Sequence, residues 1–200
     1  MTIALIDYGA GNLHSVHNAL KAAGARHVAV TADPDVVRRA DRIVLPGVGA
    51  YGACMAGLTG IAGMVAAMEE RARNGGAPFL GVCVGMQLLG DRGEEMGSHA
   101  GLGWIPGVVR HLRAGPDVRV PHMGWNDVVP TRPHPLIEPG EAYFLHSFAF
   151  EGEAVLATTD HGGPVTAAIG RDNIAGVQFH PEKSQRYGIA LLERFLEWNP

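Results

Sequence analysis

The sequence of 200 residues holds only two cysteines, Cys54 and Cys83. Two thiols cannot build a disulfide framework, which excludes a small stapled secreted domain. Aromatic residues make up 6% and charged residues 18%, with a net charge of -4 and no basic cluster. That balance argues against a nucleic-acid surface and against docking on anionic lipid. Long hydrophobic runs are missing too, because Gly, Pro or a charge interrupts each one before it could span a membrane. The start, MTIALIDYGAG, lacks a basic leader segment and carries Asp7 early. It reads as a first strand and not as a signal peptide. These absences together predict a cytoplasmic protein with reduced thiols. The ten histidines are scattered, and only His14 and His17 share a helical face. Neither has an acid or thiol at ligand spacing beside it, so no metal site is predicted.

Glycine and aliphatic residues are plentiful instead, at 28 glycines and 46% hydrophobic residues. One domain spanning 1–200 with a sizeable core is the economical reading. In the first half, short apolar runs alternate with helical patterns. TIALID (2–7), HVAV (27–30), RIVLPGVG (42–49) and APFLGVC (77–83) read as strands that end in turns. Residues 12–24, 33–40 and 61–76 read as helices, the second with Asp33 as N-cap and Pro34 at the first helical position. A short helix follows Cys83 through MQLLG, and YGACMAGL is helical with Cys54 as a small core residue. Continuous apolar strands alternating with helices predict a mostly parallel sheet covered on both faces. In the second half, segments 105–111, 117–120, 126–129, 142–150, 154–159, 165–170 and 173–179 read as strands between Gly/Pro turns. Their pairing is expected to be antiparallel. A final helix over 184–198 places Ile189, Leu192, Phe195 and Leu196 on one face.

Two segments carry chemistry signals. Gly9-Ala10-Gly11 opens like a dinucleotide fingerprint, with Asp33 where a ribose-binding acid would be. However, His14 occupies the third glycine position, so a plain tight turn is the better reading. The second segment is FLGVCVGMQLLG (79–90), where Cys83 stands two residues from Gly81 and two from Gly85. Gly-x-Cys-x-Gly between a strand and a helix has the form of a nucleophile elbow, whose sharp turn needs small neighbours. Unpaired N–H groups at the start of the helix favour a thiolate there.

A nucleophile needs a base, an orienting acid and an oxyanion hole. GVQFHPEKS (176–184) ends a strand at His180, which places that imidazole on the same sheet edge as Cys83. In an extended chain, residues i and i+2 point the same way, so Glu182 can hold one ring nitrogen while the other faces the thiol. Alone, His180 is an ordinary edge histidine and Glu182 a capping acid; beside the elbow they read as a triad. Val84 offers the N–H that follows the nucleophile. Pro46-Gly47-Val48-Gly49 is the second source of an N–H, because its glycines permit close approach and a peptide flip. By itself that loop is also an ordinary strand-to-helix turn.

GVCVGMQLL, LPGVGA and GVQFHPEKS resemble the class I, triad-type glutamine amidotransferases. DYGAGNLHS (7–15), VPHMGWN (120–126) and YFLHSFAF (143–150) are similar, more narrowly, to the glutaminase subunits of imidazole glycerol phosphate synthase, of histidine biosynthesis. The match runs in order from residue 7 to residue 184. It implies a flavodoxin-like amidotransferase fold and a glutaminase that works through Cys83, His180 and Glu182 by way of a glutamyl thioester. It implies an oxyanion hole at Val48 and Val84, and glutamine contacts at Gly47, Gly49, Gln87, Ser147 and Phe148. No cofactor is implied. The implied partner is the cyclase subunit, a (β/α)8 barrel that receives the ammonia, in a heterodimer. Asn12, Trp125, Tyr143 and Lys183 match positions at that interface. Two departures stand out: Val84 where leucine is commoner, and Phe148 where tyrosine is commoner, which removes a hydroxyl. Rival readings are a non-catalytic scaffold of the same shape, and a cysteine hydrolase or amidotransferase serving another substrate or partner.

Overall fold

The first strand, β1 (Thr2–Ile6), is apolar throughout and leads into α1 (Leu13–Ala22), which buries Val16, Ala19 and Leu20. β2 (His27–Thr31) and α2 (Pro34–Arg39) follow. The Asp33 carboxylate caps α2 by accepting the Asp35 N–H at 2.8 Å, and Pro34 opens the helix as expected. Next come β3 (Arg42–Leu45), α3 (Tyr51–Gly60), α4 (Met64–Met68), β4 (Phe79–Val82) and α5 (Val84–Gln87). The segment read as one helix over 61–76 is α4 continued by a π-helical stretch, Glu69–Asn74; together they bury Met64, Ala67, Met68 and Ala72. The helix after Cys83 is a single turn.

The second half is built from β5 (Arg92–Gly93), β6 (His99–Ala100), β7 (Gly107–His111), β8 (His122–Pro130), β9 (Gly140–His146) and β10 (Phe148–Gly152). β11 (Val155–Asp160), β12 (Pro164–Arg171), β13 (Ile174–Val177) and α6 (Gln185–Glu197) complete it. α6 buries Gly188, Leu191, Leu192 and Phe195, while Ile189 and Leu196 pack partly buried against the core. The computed structural model describes residues 1–115 and 118–200. Asp117, in the segment read as strand 117–120, lies outside the described residues. The rest of that segment is no strand: Val118 makes only an isolated bridge to Gly115. The run 142–150 is two strands and not one. It breaks at Ser147, and its halves join different sheets.

Nine strands form one sheet in the order β2-β1-β3-β4-β13-β12-β11-β8-β9. The first five follow the 2-1-3-4-5 order of flavodoxin-like sheets and pair in parallel. From β13 onward every pairing is antiparallel. β3, β4 and β13 are buried at every position, which requires cover on both faces. A separate four-stranded sheet, β10-β7-β5-β6, was not foreseen from the sequence. No single helix among the described residues is long and apolar enough to cross a membrane.

Candidate active site

The parallel strands deliver their chemistry at one edge. β3 runs out into Pro46-Gly47-Val48-Gly49, β4 into Cys83, and β13 into Gln178 and His180. Cys83 has φ 54° and ψ -114°, in the left-handed half of the map where a residue with a side chain is strained. The glycines around it are forced by backbone contact. A methyl group on Gly81 would sit 2.6 Å from the Gly85 carbonyl oxygen, and one on Gly85 would strike the Leu45 carbonyl. The Cys83 N–H donates to the Val177 carbonyl at 2.8 Å, which fastens the turn to β13.

Cys83, Val84, Gln87 and His180 line a cavity of about 220 Å³, together with Val48, Gly49, Ser147, Phe148 and Lys183. Nine of the residues singled out from the sequence therefore share one wall. Glu182 stands behind His180, its Oε1 2.9 Å from the ring Nδ1, with both side chains almost fully buried. Contrary to expectation, the pairing does not come from an extended chain: Pro181–Lys183 is a turn of 3-10 helix, and the carboxylate reaches the ring from within that turn. Glu182 Oε2 is buried and has no hydrogen-bond partner among the described residues, so the imidazole is the carboxylate's one recorded partner. Burial pulls the His180 pKa down, but the Cys83 thiol and the Glu182 carboxylate outweigh it and push it up to about 10.

The Val48 and Val84 N–H groups expected to form an oxyanion hole do not converge. The Val84 N–H donates to the Gly47 carbonyl at 3.3 Å. In a trans peptide the C=O and N–H point apart, so the Val48 N–H faces away from the Val84 N–H. The loop is held on both sides of this peptide. The Tyr8 hydroxyl donates to the Pro46 carbonyl at 2.7 Å, and the Cys54 thiol to the Val48 carbonyl at 3.4 Å. Cys54 is a buried core residue, but its sulfur also positions the loop. Burial pushes its thiol pKa up, which keeps it a neutral donor.

The chain resembles known proteins over its whole length. The family model of class I glutamine amidotransferases matches residues 4–198. The chain belongs to the class I glutamine amidotransferases. It is 62% identical to the imidazole glycerol phosphate synthase subunit HisH of Zymomonas mobilis, covering all of this chain and 97% of that one. It is 52% identical to the subunit of the same name from Caulobacter vibrioides, over all of this chain and 99% of that one. Among solved structures it is similar to one described as a glutamine amidotransferase, with a TM-score of 0.77 at 18% identity over 98% of both chains. It also resembles the glutaminase domain of Trypanosoma brucei CTPS with bound acivicin, with a TM-score of 0.67 at 17% identity over 100% and 95% of the two chains. At those identities the structures speak for the fold alone.

Several residues of this amidotransferase site escaped the sequence reading. Glu95 is the one carboxylate on the cavity wall, and its Oε2 accepts the Tyr51 N–H at 2.7 Å. Ser184 is buried; it takes the Tyr143 N–H at 2.9 Å and donates to the His180 carbonyl at 2.7 Å, tying β9 to the histidine. Phe148 meets Gln87 and His146 through its main chain, while its ring packs edge-on against His111 with centroids 5.0 Å apart. Its carbonyl accepts from Gln87 Nε2 at 2.9 Å and bonds His146 Nδ1 at 2.9 Å, so the missing tyrosine hydroxyl removes neither contact. Among the described residues no group of three or more His, Cys, Asp or Glu side chains is placed to hold a metal ion.

The residues assigned to an interface cluster beside the cavity mouth. Trp125 and Tyr143 are a cross-strand pair with ring centroids 6.2 Å apart, and the Lys183 ammonium lies 5.9 Å over the Tyr143 ring. Met123 and Leu145 are the next pair on the same face, so they extend the patch. Met123 is 65% and Trp125 48% exposed, large areas for such side chains. Asn12 precedes α1, which packs on the Pro181–Lys183 turn.

Proposed function

We propose that this chain, as one domain over 1–200, hydrolyses L-glutamine and passes the ammonia to the cyclase subunit of imidazole glycerol phosphate synthase. The observation that carries the reaction is the buried Cys83, His180 and Glu182 constellation on a cavity large enough for one amino acid. Cys83 attacks the side-chain amide carbon, and His180 protonates the departing ammonia. A glutamyl thioester remains. Water, deprotonated by His180, then releases glutamate. The raised pKa of His180 suits the first proton transfer. Acylation takes away the Cys83 partner that helps to raise it, and so turns the imidazole toward its role as base.

The Glu95 carboxylate suits the substrate ammonium, and Gln87 lies one turn beyond the nucleophile to hold the amino-acid end. Gly47, Gly49, Ser147 and Phe148 complete the substrate contacts. Flipping the single Gly47–Val48 peptide would free the Val84 N–H and turn the Val48 N–H toward the same point. Gly47 tolerates that flip, and Tyr8 and Cys54 hold the carbonyls on either side. The resting chain is therefore a poor glutaminase until a partner favours the flipped loop.

Trp125, Tyr143, Lys183 and Asn12 support the partner reading, since a half-exposed Trp against a Tyr is the composition of an interface anchor. The cytoplasm is the proposed location, where histidine biosynthesis would take place. The test is a glutaminase assay on the chain alone, then with the cyclase subunit and its nucleotide. A large increase is expected, with a glutamyl adduct on Cys83 seen by mass spectrometry. A fast rate from the chain alone would sink the gating idea. Ammonia release by a Cys83→Ala variant would refute the triad.

A further inference from the structure

Gln178 lies between the triad and Gln87, fully buried and absent from the cavity wall. The direction of its hydrogen bonds can be worked out. A carbonyl only accepts, so the Gln87 group facing the Phe148 oxygen is Nε2, at 2.9 Å. The same Nε2 lies 3.0 Å from Gln178, which must then present Oε1 to it. The Gln178 amide is left with one orientation, its Nε2 toward the Cys83 sulfur at 3.7 Å.

We infer that Gln178 is a catalytic residue that donates an N–H to the Cys83 sulfur, with its aim set by Gln87 and the Phe148 carbonyl. The inference rests on Cys83 being the nucleophile. A donor there stabilises the anionic sulfur before attack, and again when the thioester breaks and sulfur leaves. The arrangement also links the residue that holds the substrate to the reacting atom. Gln87 does not touch the sulfur, yet its amide decides which end of Gln178 does.

The test is a double-mutant cycle read by alkylation of Cys83 with iodoacetamide at neutral pH, in the complete chain. Gln178→Met keeps the volume and loses the donor, so alkylation should slow by about tenfold, the order expected for losing a hydrogen bond to a charged group. Gln87→Met leaves Gln178 free to rotate and should slow alkylation by a smaller factor. The double variant should be no slower than Gln178→Met alone, because both changes act through one bond. With the cyclase subunit present, Gln178→Met should lower kcat for glutamine at nearly constant KM. A wild-type alkylation rate in a folded Gln178→Met variant overturns the inference, and so do effects that multiply in the double variant. If Gln178→Met does not fold, a wild-type rate in Gln87→Met overturns it instead. The alkylation readings need no glutamine, so they decide this link even if the chain proves not to be a glutaminase.

Discussion

The two halves of the nine-stranded sheet differ in what they offer. β3, β4 and β13 are buried at every position, and their functional parts stand only where the strands end. β8 and β9 bury one face through His122, Val128, Ala142, Phe144 and His146 and expose the other through Met123, Trp125 and Leu145. A doubly covered sheet can place a nucleophile by backbone contact alone, which is why glycine recurs there. A sheet with one open face can recruit something from outside. The proposed catalytic and partner-binding residues are thus separated by strand type, and they meet where Leu145 borders the cavity and its carbonyl lies 3.9 Å from the Cys83 sulfur.

The largest effect should come from removing the proposed nucleophile. Cys83→Ala should abolish glutamine hydrolysis, a loss of at least about 1000-fold. Binding of the cyclase subunit, followed by calorimetry, should be unchanged, because the half-exposed patch is untouched. If binding also fails, the two halves are not separable in the way proposed.

The next largest effect tests the backbone argument. Gly85→Ala places a methyl group of α5 against the Leu45 carbonyl at the end of β3. It should destabilise the fold by about 3 kcal/mol or more in urea unfolding. Gly124, on the antiparallel half, has a positive φ of 129°, which Gly85 lacks, and a methyl group on it would meet nothing within 4 Å. The cost of Gly124→Ala should be smaller and come from backbone strain alone. Equal costs at the two positions would contradict the claim that close packing, and not conformation, demands glycine at the elbow.

Recognition is tested by Trp125→Ala. Truncating a half-exposed aromatic anchor should weaken the cyclase complex by about 1–3 kcal/mol, while the slow glutaminase rate of the isolated chain stays the same. A change in that slow rate without a change in binding would move Trp125 from the partner face into the site.

The sequence showed the parallel half more readily than the other, for a physical reason. There each strand is a short apolar run that must end in a turn, and the turn residues carry the chemistry; Cys83, His180 and Glu182 could be read from type and spacing. What remained hidden depended on orientation or on distant contacts. Either orientation of the Gly47–Val48 peptide is open to glycine, so nothing in PGVG reveals that its carbonyl occupies the Val84 N–H. Glu182 pairs with His180 as foreseen but from a 3-10 turn, because Pro181 favours that start as readily as extension. In YFLHSFAF the alternation of buried residues runs on through Ser147, and only the tertiary fold sends Phe148 to a second sheet. Glu95, Ser184 and Gln178 are single polar residues that reach Tyr51, Tyr143 and Cys83, 41 to 95 positions away in the chain.

The smallest expected effect concerns pH and again divides the halves. On β8 and β9, burial lowers His122 to about 4 and His146 to about 3, from the usual 6.5. Their rings bond each other, Nδ1 of His122 to Nε2 of His146, at 3.0 Å. The Phe148 carbonyl can only accept, so His146 donates from Nδ1 and receives at Nε2; both rings are neutral in that arrangement. Between about pH 4 and 6.5 the unfolded chain binds protons that the folded histidines refuse, so this contribution is complete above pH 6.5 and is lost as pH falls. His180 behaves in the opposite sense. Its pKa is raised to about 10, so its contribution is complete below pH 6.5 and is lost as pH rises through 10. The antiparallel half should therefore limit stability in acid and the catalytic edge in alkali. His146→Asn keeps a donor at the Nδ1 position for the Phe148 carbonyl and removes one titrating group. It should flatten the acid limb of urea-unfolding stability against pH by up to about 1.4 kcal/mol per pH unit, and leave the alkaline limb as it was. An unchanged acid limb would mean that the histidine pair does not govern it.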